Sequence, residues 1–207
     1  MDFSLARLLP DGTADAGFAG DGWSVFRIDA LPVPEGHDGI DRLVVQRDGS
    51  IVIAGHYDAG ESTVRLLAGR IRADGTPDPA YGDAALPGFR TLVTRADAGS
   101  EYATGLRLQS DGKLFLSIVT GVYPERSGFA AARLDAAGDL DPGFADGGIF
   151  ALDLVPQGAF ADAMAVTLQG GRPVLAGHAR RDSGAQITEL GLVRLENDLI
   201  FTDRLGD

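Results

Sequence analysis

Apolar residues in this chain come in short runs separated by turn formers. Leu43-Val44-Val45-Gln46-Arg47 leads into Asp48-Gly49, then Ile51-Val52-Ile53-Ala54-Gly55, then a polar stretch, then Val64 to Arg72. Runs of this length bounded by Asp and Gly predict strands. The pattern places a first strand at about 43–47, a second at about 50–57, a third at about 64–72 and a fourth at about 88–94. Asp48-Gly49 reads as a two-residue type I′ hairpin loop, and Ala73-Asp74-Gly75-Thr76-Pro77-Asp78 as a longer turn-rich connection into the fourth strand.

The pattern recurs. Arg7, Arg70, Arg133 and Arg194 stand in similar apolar settings, 63, 63 and 61 residues apart. An Asp-x-x-aromatic element follows the first three, as Asp15 to Phe18, Asp78 to Tyr81 and Asp141 to Phe144. Gln46, Gln109 and Gln169 close the first strand of three units, 63 and 60 residues apart. Independent markers sharing one period define a repeat. Four antiparallel strands in about sixty residues make a propeller blade. The expected fold is therefore all-β, a β-propeller-like repeat of four-stranded antiparallel blades with about 3.5 units in this chain. Residues 1–207 are read as a single repeat domain, with a partial unit over 1–39, full units over 40–102 and 103–162, and a partial unit over 163–207. The Asp of the connection between strands three and four is expected to bond backbone amides two residues on, while Phe18, Tyr81 and Phe144 plug the core.

Composition agrees with many tight turns. Gly is 29 of 207 residues, twice the usual ~7%, and the 30 acids divide into 24 Asp and 6 Glu. A 44% hydrophobic content allows a real core. The formal charge of −12 disfavours nucleic acid and anionic membrane surfaces as partners. No run reaches the ~18 apolar residues of a membrane helix, and Met1-Asp2-Phe3-Ser4 does not begin a signal peptide. Absence of Cys excludes disulfides, thiolate metal sites and thiol catalysis.

The connection between strands two and three changes in every unit, as Asp58-Ala59-Gly60-Glu61-Ser62, Gly121-Val122-Tyr123-Pro124-Glu125-Arg126-Ser127 and Arg180-Arg181-Asp182-Ser183-Gly184. Variable loops on a repeated frame are where binding usually lives.

The stretches Leu5-Ala6-Arg7-Leu8-Leu9-Pro10-Asp11-Gly12, Asp15-Ala16-Gly17-Phe18, Asp21-Gly22 and Gln46-Arg47-Asp48-Gly49-Ser50-Ile51-Val52-Ile53-Ala54-Gly55 resemble the bacterial delta-sixty repeat, over nearly the whole chain. That resemblance implies a β-propeller-like domain in a secreted, periplasmic or cell-surface parent protein of a bacterium, and it implies no catalytic residues. The third copy departs from the pattern with Gly170-Gly171 in its hairpin turn and Pro173 at the start of its second strand, which marks an edge or terminal blade.

Candidate chemistry is sparse. His56 and His178 occupy equivalent places after Ala-Gly at the end of the second strand, where the middle copy has Val119. With the nearby Tyr57, Asp58 and Arg181 they form the candidate ligand-binding set, on one face of the ring. His37 lies in a connection between units. Asp11, Asp15 and Asp21, with Asp74, Asp78 and Asp83 and with Asp139, Asp141 and Asp146, invite a calcium reading, but turn capping explains the same residues and no cofactor is expected. Neither Gly-x-Ser-x-Gly nor a phosphate-binding Gly-x-x-x-x-Gly-Lys occurs, and Lys113 is the lone lysine. Glu35, Glu61, Glu101 and Glu125 in variable loops are the carboxylates available to a glycosidase. The leading expectation is a non-enzymatic binding or scaffold module for a protein or glycan ligand. The alternative is a hydrolase or lyase, glycan-directed, using the loop face. A homodimer is expected, with contacts through residues 1–30 and 185–207.

Overall fold

The computed structural model describes residues 3–28, 38–60, 63–95, 99–122, 126–152, 160–180 and 189–195. Among them there are thirteen strands and no helix: β1 (Phe3–Ala6), β2 (Trp23–Phe26), β3 (Gly39–Val45), β4 (Ile51–Gly60), β5 (Thr63–Ile71), β6 (Phe89–Leu92), β7 (Ser100–Leu108), β8 (Leu114–Val122), β9 (Arg126–Leu134), β10 (Ile149–Leu152), β11 (Phe160–Gln169), β12 (Arg172–Arg180) and β13 (Glu189–Arg194). The chain divides into two compact units, Met1–Leu92 and Val93–Asp207.

The first unit holds a two-stranded sheet, β1-β2, and a four-stranded sheet in the order β3-β4-β5-β6. The second holds a four-stranded sheet of the same connectivity, β7-β8-β9-β10, and a three-stranded sheet, β11-β12-β13. Every pairing is antiparallel between chain neighbours, the meander expected of propeller blades. Strands one to four of the sequence pattern correspond to β3, β4, β5 and β6; β3 begins earlier than expected, at Gly39, and β6 is shorter.

Each first strand carries a β-bulge at the same place. Pairing skips Asp41 between Ile40 and Arg42, Thr104 between Ala103 and Gly105, and Met164 between Ala163 and Ala165. A bulge adds twist and turns one side chain out of the alternation.

The hairpin after the first strand corrects the expected type I′ loop. Gly49 N–H donates to Gln46 O at 3.1 Å, and Gly49 alone is left-handed, at φ +84°. This is a type I turn followed by a left-handed glycine, the three-residue hairpin form. Asp48 keeps negative φ because its carboxylate accepts from Ser50 N–H and Oγ, at 3.0 and 2.6 Å. The same turn recurs at Gln109–Gly112. The type I′ loop appears in the third copy instead. There Gln169 pairs directly with Arg172 across Gly170 and Gly171, both with positive φ. Pro173 sits second in β12, paired with Leu168, and its carbonyl accepts from Leu195 N–H at 2.8 Å.

In the first unit the core gathers Phe3, Leu5 and Phe18 against Ile51, Ile53, Leu67, Ile71 and Phe89 of the next sheet. In the second it gathers Phe115, Phe129, Ala131, Phe144 and Phe150 against Ala161, Ala163, Val166, Leu175 and Val193. Sheet therefore packs on sheet within each unit. Side-chain bonds tie the layers as well: Ser24 Oγ donates to Gly75 O at 2.5 Å, and Thr104 Oγ1 to Ala163 O at 2.5 Å.

Candidate functional site

The end of β4 brings together a histidine and three aspartates. His56 pairs with Gly39 across the ladder, and the bulge at Asp41 swings that carboxylate to the imidazole. His56 Nδ1 lies 3.1 Å from both Asp41 oxygens, so Nδ1–H faces an acceptor that fixes the ring. The hydrogen bond to Asp41 raises the His56 pKa above its ordinary 6.5; burial opposes this, and the charges of Asp41 and Asp38 add to the rise. Asp38 accepts from Asp58 N–H at 3.0 Å, and Asp58 caps the Gly60 N–H at 2.8 Å. The glycine before the histidine is required by close approach, since a Cβ on Gly55 would lie 2.1 Å from Gly39 O. The recurrence of Ala-Gly-His is thus backbone packing as much as chemistry.

The second unit repeats the arrangement with a different acid. Gly177 precedes His178, and a Cβ there would lie 1.8 Å from Asp162 O. His178 pairs with Asp162, whose Oδ2 is 3.7 Å from Nε2. Asp162 is buried with Oδ1 lacking a hydrogen-bond partner among the described residues, and burial raises its pKa against the opposing charge of His178.

Of the expected ligand set, His56 and Asp58 share one face of β4, while Tyr57 turns to the other face and is packed into the core with Ile51 and Ile53. Strand alternation gives this result: successive side chains leave opposite faces. His178 belongs to the second unit, and Arg181 and His37 lie outside the described residues. So do Glu35, Glu61 and Glu125. Glu101, expected on an exposed loop, is instead fully buried in β7, where its Oε1 accepts from Thr94 N–H at 2.8 Å and from the Thr94 hydroxyl.

The Asp-rich connections are structural. Arg7, Arg70 and Arg133 donate through Nε to Asp15, Asp78 and Asp141 at 2.7, 2.7 and 2.6 Å. Each guanidinium lies 4.9 Å over the ring of Phe18, Tyr81 or Phe144. The other carboxylate oxygen accepts from Gly17, Ala80 or Gly143 N–H, two residues on. One arginine therefore joins strand three, turn and core aromatic into a clamp, combining a charge-assisted bond with a cation–π contact. The residue after the aromatic is left-handed each time, as Ala19, Gly82 and Ala145. Asp11 and Asp74 cap Thr13 and Thr76, Asp21 caps Trp23, and Asp83 lies 3.4 Å from Arg90. Among the described residues no group of three or more His, Asp or Glu side chains is arranged to hold a metal ion.

Repeated meander sheets locked by repeated clamps make this a β-propeller-like repeat protein. The chain matches the model of a family described as a domain of unknown function (DUF5122) β-propeller over residues 2–18, 46–81 and 109–144. Each matched segment ends on a clamp aromatic, Phe18, Tyr81 or Phe144. No curated protein matches the sequence. Among solved structures, the endo-arabinase from Bacteroides thetaiotaomicron VPI-5482 is similar at 13% identity and a TM-score of 0.40, over 81% of this chain and 59% of that one. The exo-β-1,3-galactanase from Phanerochaete chrysosporium, solved with galactose, is similar at 11% identity and a TM-score of 0.31, over 85% of this chain and 52% of that one. The chain thus spans little more than half the length of either.

Proposed function

We propose that this protein is a non-enzymatic binding or scaffold module of an exported bacterial protein, presenting variable hairpins on a propeller-type frame to a protein or glycan ligand. The observation that carries this reading is the division of labour among the polar residues. The acids of the repeated connections are spent on clamps and caps, whereas the His56–Asp41 pair sits at the root of the β4–β5 hairpin, whose sequence differs from its counterparts. An oriented imidazole that keeps about a fifth of its side chain exposed, beside carboxylates, offers a donor and charge to a polar ligand.

The test uses fluorescently labelled protein on printed glycan and peptide arrays, with His56→Ala and Asp58→Ala in parallel. Saturable binding that weakens at least about tenfold in both variants, with the native fold retained by circular dichroism at the assay temperature, supports the proposal. Binding untouched by either variant places the ligand elsewhere. Release of products from an arrayed glycan, abolished by Asp41→Asn, replaces it with the hydrolase reading.

A further inference from the structure

Each sheet has two faces, and both units show how a face of one kind packs on a face of the other. The leading face holds residues in step with the clamp arginine. It is Phe3 and Leu5 before Arg7, and Phe129 and Ala131 before Arg133, and all four are buried against the following sheet. The trailing face holds the alternate residues. It is Leu67, Ile71 and Phe89 in the first unit, and Val193 and Leu195 in the second, and all five are buried against the preceding sheet.

Among the described residues, two faces lack this cover. On β13 the leading positions before Arg194 are Leu190 and Leu192, equivalent to Phe129 and Ala131, yet they are 72% and 53% exposed. On β1-β2 the trailing positions are Leu8, equivalent to Ile71, and Trp23, which pairs with Ala6 as Phe89 pairs with Gly69. Both are 57% exposed, where Ile71 is fully buried; Val25 beside Trp23 is exposed as well. Apolar side chains this open on adjacent strand positions mark a contact surface. The two surfaces are opposite halves of the contact that the chain already makes twice internally.

We propose that the leading face of β11–β13 docks on the trailing face of β1-β2 from a second copy of this chain. The occupant follows from the internal contacts: a leading face is covered by a trailing face in both units, and the exposed trailing face belongs to this same chain. The contact is heterologous, so two copies that each give and receive form a closed dimer satisfying both faces, while unclosed growth extends into a filament. Burying Leu8, Trp23, Val25, Leu190 and Leu192 supplies the driving force.

Trp23 is the single tryptophan of the chain and reports the docking directly. Sedimentation equilibrium from about 1 to 100 µM is expected to show the mass rising from 21.6 kDa toward twice that value. Over the same range Trp23 emission moves to shorter wavelength and acrylamide quenching falls. Leu192→Glu and Val25→Glu, each on an exposed strand position, each abolish self-association. Their one-to-one mixture associates again, because one partner keeps an intact trailing face and the other an intact leading face. Leu190→Lys and Leu8→Lys serve as replacements should circular dichroism show that a first variant has lost its fold. A mass fixed at 21.6 kDa throughout overturns the proposal, as does association that survives both substitutions or a mixture that stays monomeric while the wild type associates.

Discussion

The three clamps have one geometry and three degrees of burial, which makes them an internal experiment. Arg7 and Asp15 are 34% and 24% exposed, Arg70 and Asp78 are 18% and 15%, and Arg133 and Asp141 are 10% and 9%. Asp→Asn keeps the side chain's shape and its cap on the amide two residues on, but sets an amide against the arginine Nε–H. Removing one partner of a buried pair costs ~3–5 kcal/mol, and the substituted amide would retain part of the contact, so Asp141→Asn is expected to cost about 3 kcal/mol. The most exposed pair is screened by water, and Asp15→Asn should cost less than ~1 kcal/mol. Asp78→Asn falls between them. Urea denaturation followed by circular dichroism gives the stabilities, and amide hydrogen exchange assigns each loss to its unit. The pH dependence adds a sign. The hydrogen bond from Lys113 at 2.7 Å is the largest cause holding the Asp141 carboxyl below its ordinary 3.8, and the Gly143 amide and Arg133 assist against burial. That contribution is complete above pH 3.8 and is lost as pH falls through the lower folded value, so the stability gap between wild type and Asp141→Asn closes under acid. Equal losses at the three sites, or the largest loss at Asp15, would refute the burial argument.

Other consequences follow from the packing and from the histidine. Phe144 meets Phe115 edge-on at 5.4 Å and lies beneath Arg133, so Phe144→Ala should lower stability by ~3–5 kcal/mol in the same titration, and an unchanged midpoint would place the ring outside the core. Gly55→Ala, whose Cβ meets the Gly39 carbonyl, should cost ~1–3 kcal/mol by thermal unfolding. Proton NMR should show His56 titrating above 6.5, with Asp41→Asn bringing it down. Because its folded pKa is raised, the stabilisation from the His56–Asp41 pair is complete below pH 6.5 and is lost as pH climbs through the folded value.

What was legible in the sequence is what repeats. Arg7, Arg70 and Arg133 and their downstream Asp-x-x-aromatic elements gave the period, and strand order and the core role of Phe18, Tyr81 and Phe144 followed. The clamp itself was present as a constant offset of eight residues from Arg to Asp. Sequence reasoning treated the two as separate series because the turn that folds one onto the other is a tertiary event. The turn at Asp48-Gly49 departs from the dipeptide expectation for a local reason: the Ser50 amide and hydroxyl hold Asp48 at negative φ, which the dipeptide alone does not encode. The Asp41 partner of His56 was hidden by the bulge, since regular alternation from the ladder gives no reason for a residue skipped in pairing to reach the imidazole. Tyr57 is packed into the core, apart from His56 and Asp58, because adjacency in a strand means opposite faces.

The most direct test of the functional account maps the tightest array probe onto backbone amides by heteronuclear NMR. The account predicts shifts concentrated at residues 38–41 and 55–60, around His56, Asp41 and Asp58, with the clamp segments 15–18, 78–81 and 141–144 unmoved. Shifts centred on the clamps, with His56 silent, would contradict it.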